Sequence, residues 1–224
     1  MNGPLPSCIL FDLDGTLLDS LPGIEFSIRE ACRMVGLPEP KVNLRNLLGP
    51  PIRSILSRAL LTDNPALLDR LEQAFRTSYD TEGWRRTSCF DGALETLVMM
   101  KAGGHRLFVV SNKPRHISLK ILEREGMLPL FEQIYTRDSR TPACTKQELL
   151  HEFLSQYGVS SPDCLMVGDT MEDASAAAAA GIAFIYMTHG YGELVQAPGA
   201  PIAHKLDRFS QFLQLMETQE PVRD

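Results

Sequence analysis

Three short stretches of this chain carry carboxylates and small polar groups at spacings that can do chemistry. Asp12-Leu13-Asp14-Gly15-Thr16 sets two carboxylates two residues apart, directly after the apolar run Ser7 to Phe11. In an extended segment, residues two apart face one side. Like charges that close repel, so the pair calls for a cation or a proton. Ser111-Asn112 follows the apolar run Arg106 to Val110 and offers two small hydrogen-bond donors. Asp169 follows Cys164 to Val167, and Asp173 comes four residues later. If a helix starts at Thr170, Asp173 projects back toward the strand end. Lys146 opens a helical pattern ahead of that third run. Carboxylates near water suit a hard, oxygen-ligated cation such as Mg²⁺. The ammonium and the neutral donors suit the oxygens of a phosphoryl group. A lone Asp-x-Asp is equally compatible with a turn or a helix cap; three strand ends matching at once favour a site.

The elements that must position these groups are legible as short apolar runs bounded by turn residues. Ser7–Phe11, Arg106–Val110, Phe131–Tyr135, Cys164–Val167 and Ile182–Tyr186 read as buried strands. Helical patterns cover Asp91–Ala102, Pro114–Glu125, Lys146–Tyr157 and the alanine-rich Ala174–Ala180. Thr145 with Glu148 forms a predicted capping box. Strands alternating with helices imply an α/β fold: a Rossmann-like parallel sheet with crossover helices on both faces. Polar groups at the carboxyl ends of such strands are where open sheets bind ligands. Between the first two strands the pattern is helical and without a convincing strand. It covers Pro22–Val35, Val42–Leu48, Ile52–Leu61 and Asn64–Tyr79, with Asn64 as N-cap and Pro65 at the first helical position. The division expected is a core of residues 1–17 and 88–224 and an inserted all-α domain of residues 18–87.

Composition narrows the function classes. The chain has 224 residues, of which 44% are hydrophobic and 22% charged, as in an ordinary globular protein. Folding can bury roughly 70% of its extended surface, so no disulfide or structural metal is needed. The net charge of −6 disfavours a nucleic-acid or anionic-membrane partner. The five cysteines have no CxxC spacing, which points to a reducing compartment and a cytoplasmic location. Neither a signal peptide nor a membrane span is expected.

FDLDGTLLDS, VVSNK, Lys146 and VGDTMED together resemble the four motifs of the haloacid dehalogenase superfamily, in its phosphatase branch. The resemblance covers about residues 8 to 192. The helical insert is similar to that family's C1 cap. FDGALETLVMMKAGGHRLFVVSNKP and THGYG are most similar to the phosphoglycolate phosphatase subgroup. The resemblance implies that Asp12 is a nucleophile forming an aspartyl-phosphate and that Asp14 is the general acid and base. Ser111, Asn112 and Lys146 would hold the phosphoryl oxygens. Asp12, Asp169 and the backbone carbonyl of Asp14 would bind Mg²⁺, with Asp173 as an outer or water-mediated ligand. The substrate would be a small phosphate ester, and the state a monomer or homodimer. Relatives carry Lys-Pro-x-Pro at the third motif, whereas this chain reads TPACTKQELL. Ungapped alignment from Gly158 puts Cys144 at the lysine position, and Lys146 requires a two-residue shift. Because the site needs a cation beside the phosphate, Lys146 is the residue expected, with Lys113 a substitute that points along the loop.

In the insert, Arg45, Arg53 and the stiff turn Leu48-Gly49-Pro50-Pro51 are candidates for reading the substrate, unless both arginines are simply solvated. The five histidines are not expected to be ligands, and Met99-Met100 and Met166 read as core filler. Within the same fold, a dehalogenase would not need Asp14. A phosphonate-cleaving enzyme needs a cap lysine, for which Lys41 is the sole candidate, and lacks the second aspartate. A sugar phosphomutase, a pyrophosphatase and a nucleotidase remain alternatives. A non-catalytic binding protein is disfavoured by the intact Asp12, Asp14 and Asp169.

Overall fold

A computed structural model of the chain describes residues 5–193 and 202–217. In chain order the strands are β1 (Cys8–Phe11), β2 (Leu18–Asp19), β3 (Ser88–Cys89), β4 (Arg106–Ser111), β5 (Phe131–Thr136), β6 (Cys164–Gly168), β7 (Ala183–Met187) and β8 (Ile202–Leu206). The helices are α1 (Leu21–Val35), α2 (Ile52–Leu60), α3 (Pro65–Thr81), α4 (Ala93–Ala102), α5 (Arg115–Arg124), α6 (Lys146–Tyr157), α7 (Met171–Ala179) and α8 (Gln211–Glu217). Six strands form one parallel sheet in the order β5-β4-β1-β6-β7-β8.

The two faces of the sheet follow from the period of two along each strand. Ile9, Phe11, Leu107, Val109, Leu165 and Val167 face one apolar layer, with residues of α4, α5 and α8. Leu10, Phe108, Val110 and Met166 face the other, with α6 and α7. Ala174, Ala176 and Ala177 are buried in that second layer, so the alanine run is a helix packed closely on the sheet.

β1 sits at the point where the strand order reverses, with β4 on one side and β6 on the other. Crevices at such a point are where open α/β sheets bind ligands. Asp12 continues the β1 ladder by one bond, its N–H donating to the Val167 carbonyl at 3.0 Å.

The helical insert α1–α3 leaves and re-enters the sheet through a feature absent from the sequence reading. β2 and β3 pair antiparallel, Leu18 opposite Cys89 and Asp19 opposite Ser88. Leu18 therefore belongs to a paired stalk rather than to a helical segment, and the two chain crossings are held side by side. Arg124 of α5 braces the return crossing by donating to the carbonyls of Trp84, Arg85 and Thr87. The expected helix over Val42–Leu48 is a single 3-10 turn, Leu44–Leu47, capped by Asn43 and stopped by the Gly49-Pro50-Pro51 sequence. α3 begins as expected, with the Asn64 side chain accepting from Leu67 N–H at 3.2 Å. α4 starts two residues late because Gly92 is left-handed, φ 77°. β8 and α8 have no counterpart among the expected elements. Met100 and Met166 are core, while Met99 is 46% exposed.

No helix among the described residues is long and apolar enough to cross a membrane. All five cysteines are free thiols.

Candidate active site

The loop after β1 turns at once. The N–H groups of Thr16, Leu17 and Leu18 all donate to the Leu13 carbonyl, and Gly15 is left-handed at φ 85°. A Cβ at Gly15 would overlap the Asp169 carboxylate, so this turn requires glycine for space as well as for φ. The turn gives the two aspartates different surroundings. Asp12 is 5% exposed, with one carboxylate oxygen 3.1 Å from Lys146 Nζ. The Asp14 side chain is 22% exposed and accepts from Lys113 Nζ at 2.7 Å.

Lys146 reaches the site because α6 starts on it, behind the Thr145–Glu148 capping box. Its ammonium bridges Asp12 and Asp173, donating to Asp173 Oδ1. Burial opposes its charge, but the Asp12 and Asp173 carboxylates hold its pKa well above the ordinary lysine value. Lys113 departs from expectation. Instead of pointing along its loop, it is 5% exposed and lies beneath the insert. It donates to Asp14 and, at 2.8 Å, to the Tyr79 hydroxyl of α3. Burial again opposes its charge, and Asp14 and Tyr79 outweigh that opposition. The turn that ends β4 directs Lys113 inward.

Asp173 is the third residue of α7 and closes a second capping box. Its Oδ2 accepts from Thr170 N–H at 3.0 Å and from the Thr170 hydroxyl at 2.6 Å. This is the backward projection anticipated for a helix beginning at Thr170. Asp169 accepts from the Thr16 hydroxyl at 2.9 Å and from Tyr191 N–H at 2.7 Å.

Asp12, Asp169 and Asp173 each offer an oxygen within 4.8 Å of the others, all three buried. Burial pushes Asp12 up to about 7, opposed by Lys146 and reinforced by Asp173 and Asp14. Burial also pushes Asp169 up to about 8, reinforced by Asp173 and Asp12. Asp12 Oδ1 faces the Lys146 ammonium at 3.1 Å, without hydrogen-bond geometry between them. Three buried carboxylates this close, with one ammonium among them, leave an excess of negative charge that suits a divalent cation. Both Asp173 oxygens are engaged, Oδ1 by Lys146 and Oδ2 by Thr170, and both Asp169 oxygens are engaged by Thr16 and Tyr191.

The remaining expected residues divide. The Ser111 hydroxyl oxygen accepts from Lys113 N–H at 3.3 Å, and its proton has no acceptor among the described residues. Asn112 spends its amide protons on the Gly49 carbonyl at 3.3 Å and on Glu172 at 3.0 Å, tying the insert's turn to the core. Gly49 is left-handed at φ 113°, and a Cβ there would press on Thr170 at 3.0 Å. Arg45 is not merely solvated. It donates to the carbonyls of His189 and Gly190 at 2.7 and 2.6 Å. Arg53 lines the cavity between insert and strand ends but is ion-paired with Asp69 at 2.6 Å and Glu72 at 3.5 Å. Thr16, Tyr79 and Tyr191 were not singled out by sequence. Tyr191 was readable only as part of THGYG, and Tyr79 carries no local signal at all.

Residues 9–187 match the haloacid dehalogenase-like hydrolase family. A tyrosine-protein kinase of Mycobacterium tuberculosis is 34% identical over 191 residues. That match covers 85% of this chain, which spans only 65% of the relative's length. A 5'-nucleotidase of Pseudomonas aeruginosa is 31% identical over 94% of this chain and 95% of its own. A phosphoglycolate phosphatase of Vibrio vulnificus is 32% identical over 87% of each chain. In three dimensions, a haloacid dehalogenase-like hydrolase of Streptococcus pneumoniae superposes with a TM-score of 0.84 at 23% identity, covering 93% of this chain and 97% of that one. The switch-point aspartates, the lysine at the start of α6 and the family match agree, and this chain belongs to the haloacid dehalogenase-like hydrolases.

Proposed function

We propose that this chain is a Mg²⁺-dependent phosphomonoester hydrolase working through an aspartyl-phosphate on Asp12, with a small organic phosphate as substrate. The observation that carries the reading is the buried Asp12–Asp169–Asp173 carboxylate cluster at the strand ends, with the Lys146 ammonium between Asp12 and Asp173. The relatives named phosphoglycolate phosphatase and 5'-nucleotidase support the reaction class.

In the first half-reaction an Asp12 oxygen attacks phosphorus, the bond from phosphorus to the leaving oxygen breaks, and Asp14 supplies that oxygen's proton. In the second, a water oxygen attacks phosphorus, its proton passes to Asp14, and the Asp12 carboxylate is restored. Lys146 and the Ser111 hydroxyl proton meet the charge that builds on the phosphoryl oxygens. Asn112 joins them once its amide leaves Gly49 or Glu172. Asp12, Asp169 and the Asp14 carbonyl would hold Mg²⁺, with Asp173 behind them. The ion would offset the repulsion between a carboxylate nucleophile and a dianionic phosphate.

The insert acts as a cap. The β2–β3 pairing beside the two chain crossings supports an insert over residues 18–87. Closure about Leu18–Ser20 and Arg86–Ser88 would exclude water from the intermediate. The test is turnover of phenyl phosphate with Mg²⁺ and with excess chelator. Activity that survives the chelator contradicts the proposal.

A further inference from the structure

The cavity facing the aspartates is larger and more apolar than a two-carbon leaving group requires. It encloses about 380 Å³, a volume in the ~300–1,000 Å³ range that holds drug-sized ligands. Its wall joins Asp12 and Asp14 to Ile24, Ile52, Ile55 and Phe75 of the insert. Such side chains gain by covering apolar surface and offer nothing to a hydroxyl-rich substrate.

The cations on that wall are not equivalent. Arg53 is matched by Asp69 and Glu72, Arg76 by Glu72 at 2.8 Å, and Lys113 by Asp14. Arg137, in the loop after β5, also lines the cavity, and its guanidinium has no acid or carbonyl partner among the described residues. The neighbouring Asp138 is engaged by Arg115 N–H at 3.0 Å. The Arg137 backbone is nonetheless fixed on both sides. Its N–H donates to the Ser111 carbonyl at 3.1 Å, and its carbonyl accepts from Cys144 N–H at 2.9 Å. An unpaired guanidinium on a pinned backbone, next to a strand end proposed to hold phosphate, is available to a second anionic group.

We propose that Arg137 reads the leaving group, and that this site takes phosphomonoesters whose alcohol portion combines an apolar body with an oxyanion, either a carboxylate or a second phosphate. The proposal rests on the phosphomonoesterase reading above. It assigns to Arg137 the substrate contact that the sequence suggested for Arg53.

The test compares the wild type with Arg137→Ala and Arg137→Lys on phenyl phosphate, 4-carboxyphenyl phosphate, 4-phosphonophenyl phosphate, 2-phosphoglycolate and adenosine monophosphate. The wild type should favour one of the two anionic aryl esters in kcat/KM, and which one identifies the oxyanion. Relative to phenyl phosphate, that preference should fall at least ~10-fold in Arg137→Ala, mainly through KM, as expected for a lost charge-assisted contact. Arg137→Lys should recover part of it. Taking wild type over variant for each ester cancels differences in leaving-group chemistry. Equal losses on all esters, or a wild-type preference for phosphoglycolate or adenosine monophosphate, overturn the proposal. If no ester is hydrolysed, the phosphomonoesterase reading fails, and calorimetric titration with 4-carboxybenzylphosphonate then tests Arg137 alone. At least ~10-fold weaker binding by Arg137→Ala supports the assignment, and equal affinity refutes it.

Discussion

The Lys113 ammonium stands 2.7 Å from Asp14 Oδ1 and 2.8 Å from the Tyr79 hydroxyl, so one buried cation ties the second aspartate to helix α3 of the insert. Through this contact the orientation of Asp14 depends on the insert being seated. Lys113→Ala should therefore lower kcat at least ~10-fold, because misplacing a proton-transfer group by about 1 Å can cost ~100-fold. Tyr79→Phe keeps the Lys113–Asp14 pair and should cost less. Steady-state kinetics on a substrate with a poor leaving group reads both variants. Full activity in Lys113→Ala would show that the contact does not position Asp14.

Lys146 has the harsher environment, bridging Asp12 and Asp173 in a buried cluster. Lys146→Ala should lower turnover at least ~100-fold, as loss of a preorganised charge beside a phosphoryl group does. It should also lower stability, since removing one partner of a buried ion pair costs ~3–5 kcal/mol. Denaturant titration measures the second effect separately. A larger kinetic loss in Lys113→Ala than in Lys146→Ala would move the third motif off Lys146.

The two aspartates should separate by leaving group. Asp12→Asn removes the nucleophile and should abolish turnover for every ester. Asp14→Asn keeps the backbone carbonyl but not the proton transfer, so its defect should shrink as the leaving alcohol becomes more acidic. Rates across a series of substituted aryl phosphates check this. Equal defects across the series would contradict the division of roles.

The pH dependence of metal binding follows from the raised carboxylates. Asp12 and Asp169 are pushed up to about 7 and about 8, chiefly by burial. For a carboxylate raised in the folded state, stability is lost as pH climbs through the raised value, because the buried charge must then form. A bound cation relieves that loss, and protons compete with it at lower pH. The Mg²⁺-induced rise in Tm should therefore be several-fold larger at pH 8.5 than at pH 6. Thermal melts at both pH values test this, and a shift equal at the two, or larger at pH 6, would contradict it.

The sheet and most site positions were legible because they rest on local signals. Short continuous apolar runs bounded by turn residues mark the strands, and the Thr145–Glu148 box places Lys146 on α6. Asp173 was predictable because the position of Thr170 as N-cap fixes where the third helical residue points. Lys113 was misread because its direction depends on burial beneath a distant helix, which loop sequence does not encode. The β2–β3 stalk was missed because a two-residue pairing has no periodicity to detect. β8 was missed as an edge strand whose residues are mostly half-buried, so its pattern lacks a continuous apolar run. Arg45 was read from its charge alone, while its partners are backbone carbonyls far along the chain.

The central claim is that Asp12 carries the phosphoryl group. Acid-quenched mass spectrometry of the protein mixed with Mg²⁺ and an aryl phosphate tests it directly. The account predicts one added phosphoryl mass on the peptide containing Asp12, formed before steady-state phosphate release, lost on incubation without substrate and absent in Asp12→Asn. A phosphoryl group on another residue, or phosphate release at the wild-type rate by Asp12→Asn, would contradict it.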